Sequence, residues 1–166
     1  MAVKALFETL AELTRQHQTL ASLAKEKTET IKQNDVEGLR LITKQENEAL
    51  KTIRRLEGSR LQAVADIIQA EESDLVPAET SISDLKPLLP EAYHEPLERL
   101  QVKLGDELRT LQRQNELNQR LIRDSLQFVH MSLDLIQPEP EEVNYSRPDD
   151  KTKPDGEGYS MFDSRA

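Results

Sequence analysis

From Val3 to Ile31, stripe residues recur at alternating steps of three and four: Val3, Leu6, Leu10, Leu13, His17, Leu20, Ala24, Lys27 and Ile31. That spacing puts them on one face of an α-helix of about nine turns, a stripe suited to packing along its length on other helices. The rest of the chain must supply those helices. "QNDVEGL" ends the first pattern: Asn34 or Asp35 can accept hydrogen bonds from the free amides of a second helix, and Glu37 lies near its positive end. The second stripe runs through Val36, Leu39, Ile42, Leu50, Ile53, Leu56, Leu61, Val64, Ile67 and Ile68 and fades near "EESD". Gly38 and Gly58 weaken this helix by roughly 1 kcal/mol each relative to alanine.

A third helix is expected after Pro96, a residue suited to a first turn because it lacks an amide hydrogen that would go unpaired there. Leu97, Leu100, Leu104, Leu108, Leu111, Leu121, Ile122, Leu126, Val129, Leu133 and Ile136 follow at helical spacing, and Pro138 and Pro140 end it. At ~1.5 Å per residue the three helices span roughly 45, 55 and 60 Å. The short link at Asn34 makes the first two an antiparallel hairpin, and the third is expected to run back along both.

The predicted fold is therefore all-α: a long antiparallel three-helix bundle, coiled-coil-like, with a short helical segment in the second connection and a disordered C-terminal tail. Residues 1–137 form the helical domain and 138–166 a flexible acidic tail. By this count the end of the second helix and the start of the third overhang Met1 by about two turns. In the connection "VPAETSISDLKPLLPEAYHEP", Ile82, Leu85, Leu88 and Leu89 are expected to fold as an amphipathic turn that covers the exposed seam.

Asn115 and Asn118 in "LQRQNELNQRLI" interrupt the third stripe between Leu111 and Ile122, roughly level with Gln45, Asn47 and Lys27. Two readings stand: a polar layer that sets helix register at some cost in stability, or a face that opens onto a partner.

Charge and chemistry narrow the function. The net charge is -9, with eight acids against four bases in residues 137–166, and neither part of the chain offers the clustered cations a phosphate backbone needs. No nucleic-acid partner is expected. There is no cysteine for a disulfide or a thiolate metal site. Glu8 and Glu12 interrupt the N-terminal region before a signal-type apolar stretch forms, and no run approaches a membrane span, so the expected compartment is the cytoplasm, without membrane insertion. Of the histidines, His17 and His130 read as stripe residues. His94 pairs with Glu91 at the i, i+3 spacing of carboxylate-bridged di-iron bundles, but such a site needs a second motif and further carboxylates. No phosphate loop or nucleophile elbow is present. The chain reads as a binding protein, not an enzyme, with no cofactor, no metal and no catalytic residue.

The tail holds Tyr145, Tyr159 and Phe162, three of six aromatic residues in the chain. An acidic extension that only solubilises has no use for aromatics, which bury much area with few torsions to freeze. They are read as handles for a partner.

The run "DVEGLRLITKQENEALKTIRRLEGSR" and the later "NELNQRLIRDSLQFVHMSLDLI", followed by a tyrosine and a Gly-bearing polar stretch, resemble the FlgN family of flagellar type III export chaperones. Here Ser146 follows Tyr145 where the family often has glycine. The resemblance implies a cytoplasmic, ATP-independent chaperone that binds the C-terminal helices of the hook-filament junction proteins FlgK and FlgL, prevents their premature self-association and docks on the export gate protein FlhA. It places client binding on the second half of the third helix, at Leu121, Ile122, Leu126, Phe128, Val129, Leu133 and Ile136. Most of these are expected to serve also as core, with Phe128 the freest. It places export-gate docking at Tyr145, with Tyr159 and Phe162 as alternatives. A structural scaffold subunit, or a secretion chaperone for another client, is the rival reading.

Overall fold

A computed structural model describes residues 2–136. Three long helices dominate it: α1 (Ala2–Lys32), α2 (Val36–Ala70) and, after a connection containing the single-turn α3 (Ile82–Leu85), α4 (His94–Ile136). Two 3-10 turns, Lys86–Leu88 and Glu91–Tyr93, complete the connection.

The hairpin between α1 and α2 is built from side-chain chemistry at three residues. Asn34 takes a left-handed backbone conformation (φ 54°), which lets its amide reach the Ile31 carbonyl and the Asp35 amide reach the Thr30 carbonyl. These bonds satisfy the last carbonyls of α1. Asp35 then caps α2, its carboxylate accepting from the Gly38 amide at 2.9 Å, so of the two candidate caps it is Asp35 that acts. A Cβ on Gly38 would collide with that carboxylate and come within 2.8 Å of the Thr30 methyl. The glycine's cost in helix propensity is the condition for a tight cap.

Leu6, Leu10 and Leu13 of α1 pack with Ala63, Val64, Ile67 and Ile68 of α2 and Leu97 of α4 in one cluster. Leu85 and Leu89 of the connection enter the same cluster, as the sequence pattern predicts. Ser81 and Asp84 hold α3 in a reciprocal capping box. Lys86 bonds Glu98 on α4 at 2.5 Å, and Tyr93 meets Phe7 with ring centroids 5.7 Å apart. Pro96 falls inside the first turn of α4, which starts at His94 and not after the proline; the His94 ring bonds the Leu89 carbonyl at 2.9 Å.

Two expectations about the assembly are corrected. First, α1 packs along both α2 and α4, but α2 and α4 do not pack along each other. The residues between them explain the gap: Asn47, Asn115, Gln119 and the Lys27–Glu46 pair would lose hydration if the helices closed without supplying new partners. Second, the overhang lies at the opposite end. Gln18 bonds Glu107 and Thr28 bonds Asn118, an offset of 89 to 90 residues between the parallel helices α1 and α4. By that offset, His94 starts level with the first turns of α1. Val129 still lines a cavity with Asn34 and Asp35 of the hairpin, and the residues beyond it project about 10 Å past the loop.

Candidate partner-binding surface

The separation of α2 from α4 leaves a cleft floored by α1. Its middle is a cavity of about 320 Å³, with Leu20 and Lys27 from α1, Glu46, Asn47 and Leu50 from α2, and Leu111, Asn115 and Ile122 from α4. Lys27 bonds Glu46 at 2.7 Å, with side chains only 21% and 16% exposed. The expected level of Asn47 and Lys27 with the α4 asparagines holds; on α2 it is Glu46, next to Gln45 in the chain, that joins them.

The two asparagines divide the roles that the sequence left open. Asn118 is buried and closes a polar layer. The Thr28 hydroxyl donates to its Oδ1 at 2.6 Å and accepts from Gln114 Nε2 at 2.5 Å, and Asn118 Nδ2 donates to the Ala24 carbonyl at 2.7 Å. No buried side-chain nitrogen or oxygen among the described residues lacks a partner. Asn115, one turn earlier, is exposed and lines the cleft.

Nearer the hairpin a second cavity, of about 300 Å³, is mainly apolar, with Ile31, Val36, Leu39, Ile122, Leu126 and Val129 in its wall. Among the expected client-binding residues, Leu121 and Ile122 are half-buried, whereas Leu126, Phe128, Val129, Leu133 and Ile136 are exposed. Phe128 is 71% and Ile136 75% exposed. The expectation that most of this set is core is therefore corrected. Across the 43 residues of α4 only Leu97 and Asn118 are buried. Leu104 and Leu111, read from the sequence as core, are half-buried. The cause is the sparse contact with α2: a helix packed mainly on one neighbour buries a narrow strip of its surface.

The exposed end of α4 has two apolar faces. Leu126, Val129, Leu133 and Ile136 continue the stripe that faces the hairpin, and Phe128, Met131 and Leu135 line the opposite side, at the 100° step of a helix. Tyr145, Tyr159 and Phe162, expected to dock on an export gate, lie outside the described residues, as does the whole of 138–166.

A basic edge on α2 went unread in the sequence. Arg40, Lys44, Lys51 and Arg54 line a cavity of about 470 Å³ together with Asn47, Glu48 and Leu50. The hydrogen bond from Lys51, and then the charges of Lys51 and Lys44, hold the Glu48 carboxyl below the usual carboxylate range. The signal was the spacing of bases at steps of four, three, four and three through Asn47, hidden by the chain's net negative charge.

His17 bonds the Leu13 carbonyl at 2.8 Å and His130 is exposed. Among the described residues no group of three or more His, Asp or Glu side chains is placed to hold a metal ion, and no helix is long and apolar enough to cross a membrane.

Comparison with known proteins gives this surface a context. The chain matches the family described as FlgN protein over residues 1–153. It is 31% identical over 169 residues to YvyG of Bacillus subtilis (strain 168), an uncharacterized protein, with both chains covered in full. No solved structure matches it. A family match across the helical region and an end-to-end relative establish that this chain belongs to the FlgN family, a family of flagellar export chaperones and not of enzymes.

Proposed function

We propose that this protein is a cytoplasmic export chaperone that holds the C-terminal helices of the hook-filament junction proteins FlgK and FlgL and hands them to the export gate protein FlhA. The observation that carries the reading is the open apolar surface of α4, where Leu126, Phe128, Val129, Leu133 and Ile136 are exposed on a helix that buries so little of itself. Monomeric soluble proteins seldom leave contiguous apolar area of this kind without a use for it. Client ends that form coiled-coil contacts only after assembly carry apolar stripes of their own, and a helical surface can cover such stripes reversibly. Leu121 and Ile122 form the inner margin of the client site, and Tyr145 is the favoured gate contact, ahead of Tyr159 and Phe162.

Calorimetric titration with the isolated C-terminal segments of FlgK and FlgL tests the reading. One-to-one binding with a negative heat-capacity change, weakened by Phe128→Ala, is the expected result. Absence of binding to both segments rejects these clients and leaves a chaperone for another client. Substituting Tyr145→Ala is expected to spare client binding and weaken docking on FlhA; loss of helical signal in that variant would overturn its role as a handle.

A further inference from the structure

The two cavities between α2 and α4 form one trough, since Ile122 lines both. From Leu111 to Val129 it runs about 27 Å at ~1.5 Å per residue, the length of a helix of about five turns. Its floor is apolar at Leu20, Leu50, Leu111 and Ile122, and α4 contributes the neutral carboxamides of Asn115 and Gln119. The carboxylate inside it, Glu46, is held by Lys27 at 2.7 Å. The α2 side is cationic. Arg40, Lys44, Lys51 and Arg54 follow one another along one exposed face for about 21 Å, and Asn47 and Leu50 belong both to the trough and to this edge. At about 100° per residue, Asn47 and Arg54 lie on the side of the edge nearer Leu50, while Glu37 and Glu48 lie on the side away from it. Glu48 accepts from Lys51 at 2.8 Å, and Glu37 lies 3.6 Å from Arg40. Lys44 and Arg54 have no ion-pair partner among the described residues.

We infer that this trough takes an amphipathic helix of a partner protein whose carboxylates run along the flank that faces α2. The apolar floor receives the stripe of the incoming helix, and the cations of the edge meet its acidic flank. Its other flank meets the carboxamides of α4. Charge therefore sits on one side of the trough only, and this sets the direction of the helix: turned end for end with its stripe still down, it would present its acids to α4. An anionic membrane is a poorer occupant. Leu50 lines the trough, and Glu37 and Glu48 stand within the edge, where a continuous negative surface would meet them as like charges. A helix can place its acids opposite the cations alone. The inference deepens the client reading and rests on it only in taking the occupant to be a helix.

The probes are two fluorescein-labelled synthetic peptides of about 18 residues, sharing one leucine stripe and carrying either Glu or Gln along the same flank, titrated with the full-length protein. At low ionic strength, anisotropy is expected to show the Glu peptide binding about tenfold more tightly, as several weak exposed pairs act together. The difference should vanish in about 1 M salt, where the screening length falls to about 3 Å. The Lys44→Glu, Arg54→Glu variant changes two exposed side chains; it is expected to keep the wild-type unfolding curve, bind the Gln peptide as before and reverse the preference. Equal binding of the two peptides overturns the inference, as does a preference for Glu that survives charge reversal. Displacement of the Glu peptide by phosphatidylglycerol vesicles also overturns it and assigns the edge to lipid. The clients are tested separately. FlgK and FlgL segments that bind the variant as tightly as the wild type reject the acidic flank and leave the clients; segments that do not bind the wild type reject the clients, and the peptide preference still decides the trough.

Discussion

Thr28 and Asn118 stand ninety residues apart in the chain and 2.6 Å apart in the fold. Their bond, with the Gln114 and Ala24 contacts around it, sets the register of α4 on α1. Asn118→Ala removes two hydrogen bonds of this buried layer, to the Thr28 hydroxyl and the Ala24 carbonyl, and a loss of about 1–3 kcal/mol in urea unfolding is expected. The Thr28→Val, Asn118→Leu double variant removes both partners and is expected to recover part of that loss, the half-buried Gln114 amide, which donates to Thr28, having to turn to solvent.

The burial pattern separates stability from binding on α4. Leu97→Ala, or Leu13→Ala on α1, is expected to cost about 2–5 kcal/mol by opening the core. Phe128→Ala, at a position 71% exposed, is expected to shift stability by less than about 0.5 kcal/mol while reducing client affinity. Equal destabilisation by Leu97→Ala and Phe128→Ala in denaturant titrations would defeat this division.

Glu72 ends α2 in a left-handed conformation (φ 49°), with the Ser73 amide on the Ile68 carbonyl at 3.0 Å. A Cβ in that region costs about 1–2 kcal/mol that glycine avoids. Glu72→Gly is therefore expected to raise the unfolding free energy by about 1 kcal/mol after the glycine's larger unfolded-state entropy is counted, and the unfolding midpoint with it. A lower midpoint would show that the glutamate side chain has a stabilising contact.

The connection has a pH dependence of definite sign. The Ser81 hydroxyl and then the Ser81 amide hold the Asp84 carboxyl below its ordinary 3.8. Hydrogen bonding from Lys86 and then its charge hold Glu98 below its ordinary 4.5. Groups lowered on folding stabilise fully above those ordinary values and lose the contribution as pH falls through the folded ones. The methyl resonances of Leu85 and Leu89 are expected to stay constant from neutral pH to about 5 and to shift only below the ordinary carboxylate range. A transition well above the ordinary carboxylate range would defeat this assignment.

Much of this architecture is legible in the chain. Steps of three and four give the long helices, Asp35 and Glu37 mark the start of α2, and Leu85 and Leu89 mark the connection as a cover for the core. The candidate surface is less legible. Leu126 and Val129 look the same in sequence whether a neighbouring helix covers them or not, since periodicity reports which residues share a face and not what lies opposite. Asn115 and Asn118 have the same side chain three positions apart, yet one faces the cleft and the other Thr28.

The sequence by itself determined helix identity, order and the short hairpin, because backbone preferences, caps and apolar spacing act over a few residues. Only the tertiary structure decided that α4 packs mainly on α1 and little on α2, that it projects beyond the hairpin, and that a cleft with a basic rim lies between α2 and α4. Those features depend on lateral distances between elements far apart in the chain. They are set by the competition between burying leucines and keeping carboxamides and the Lys27–Glu46 pair satisfied, which no single segment contains.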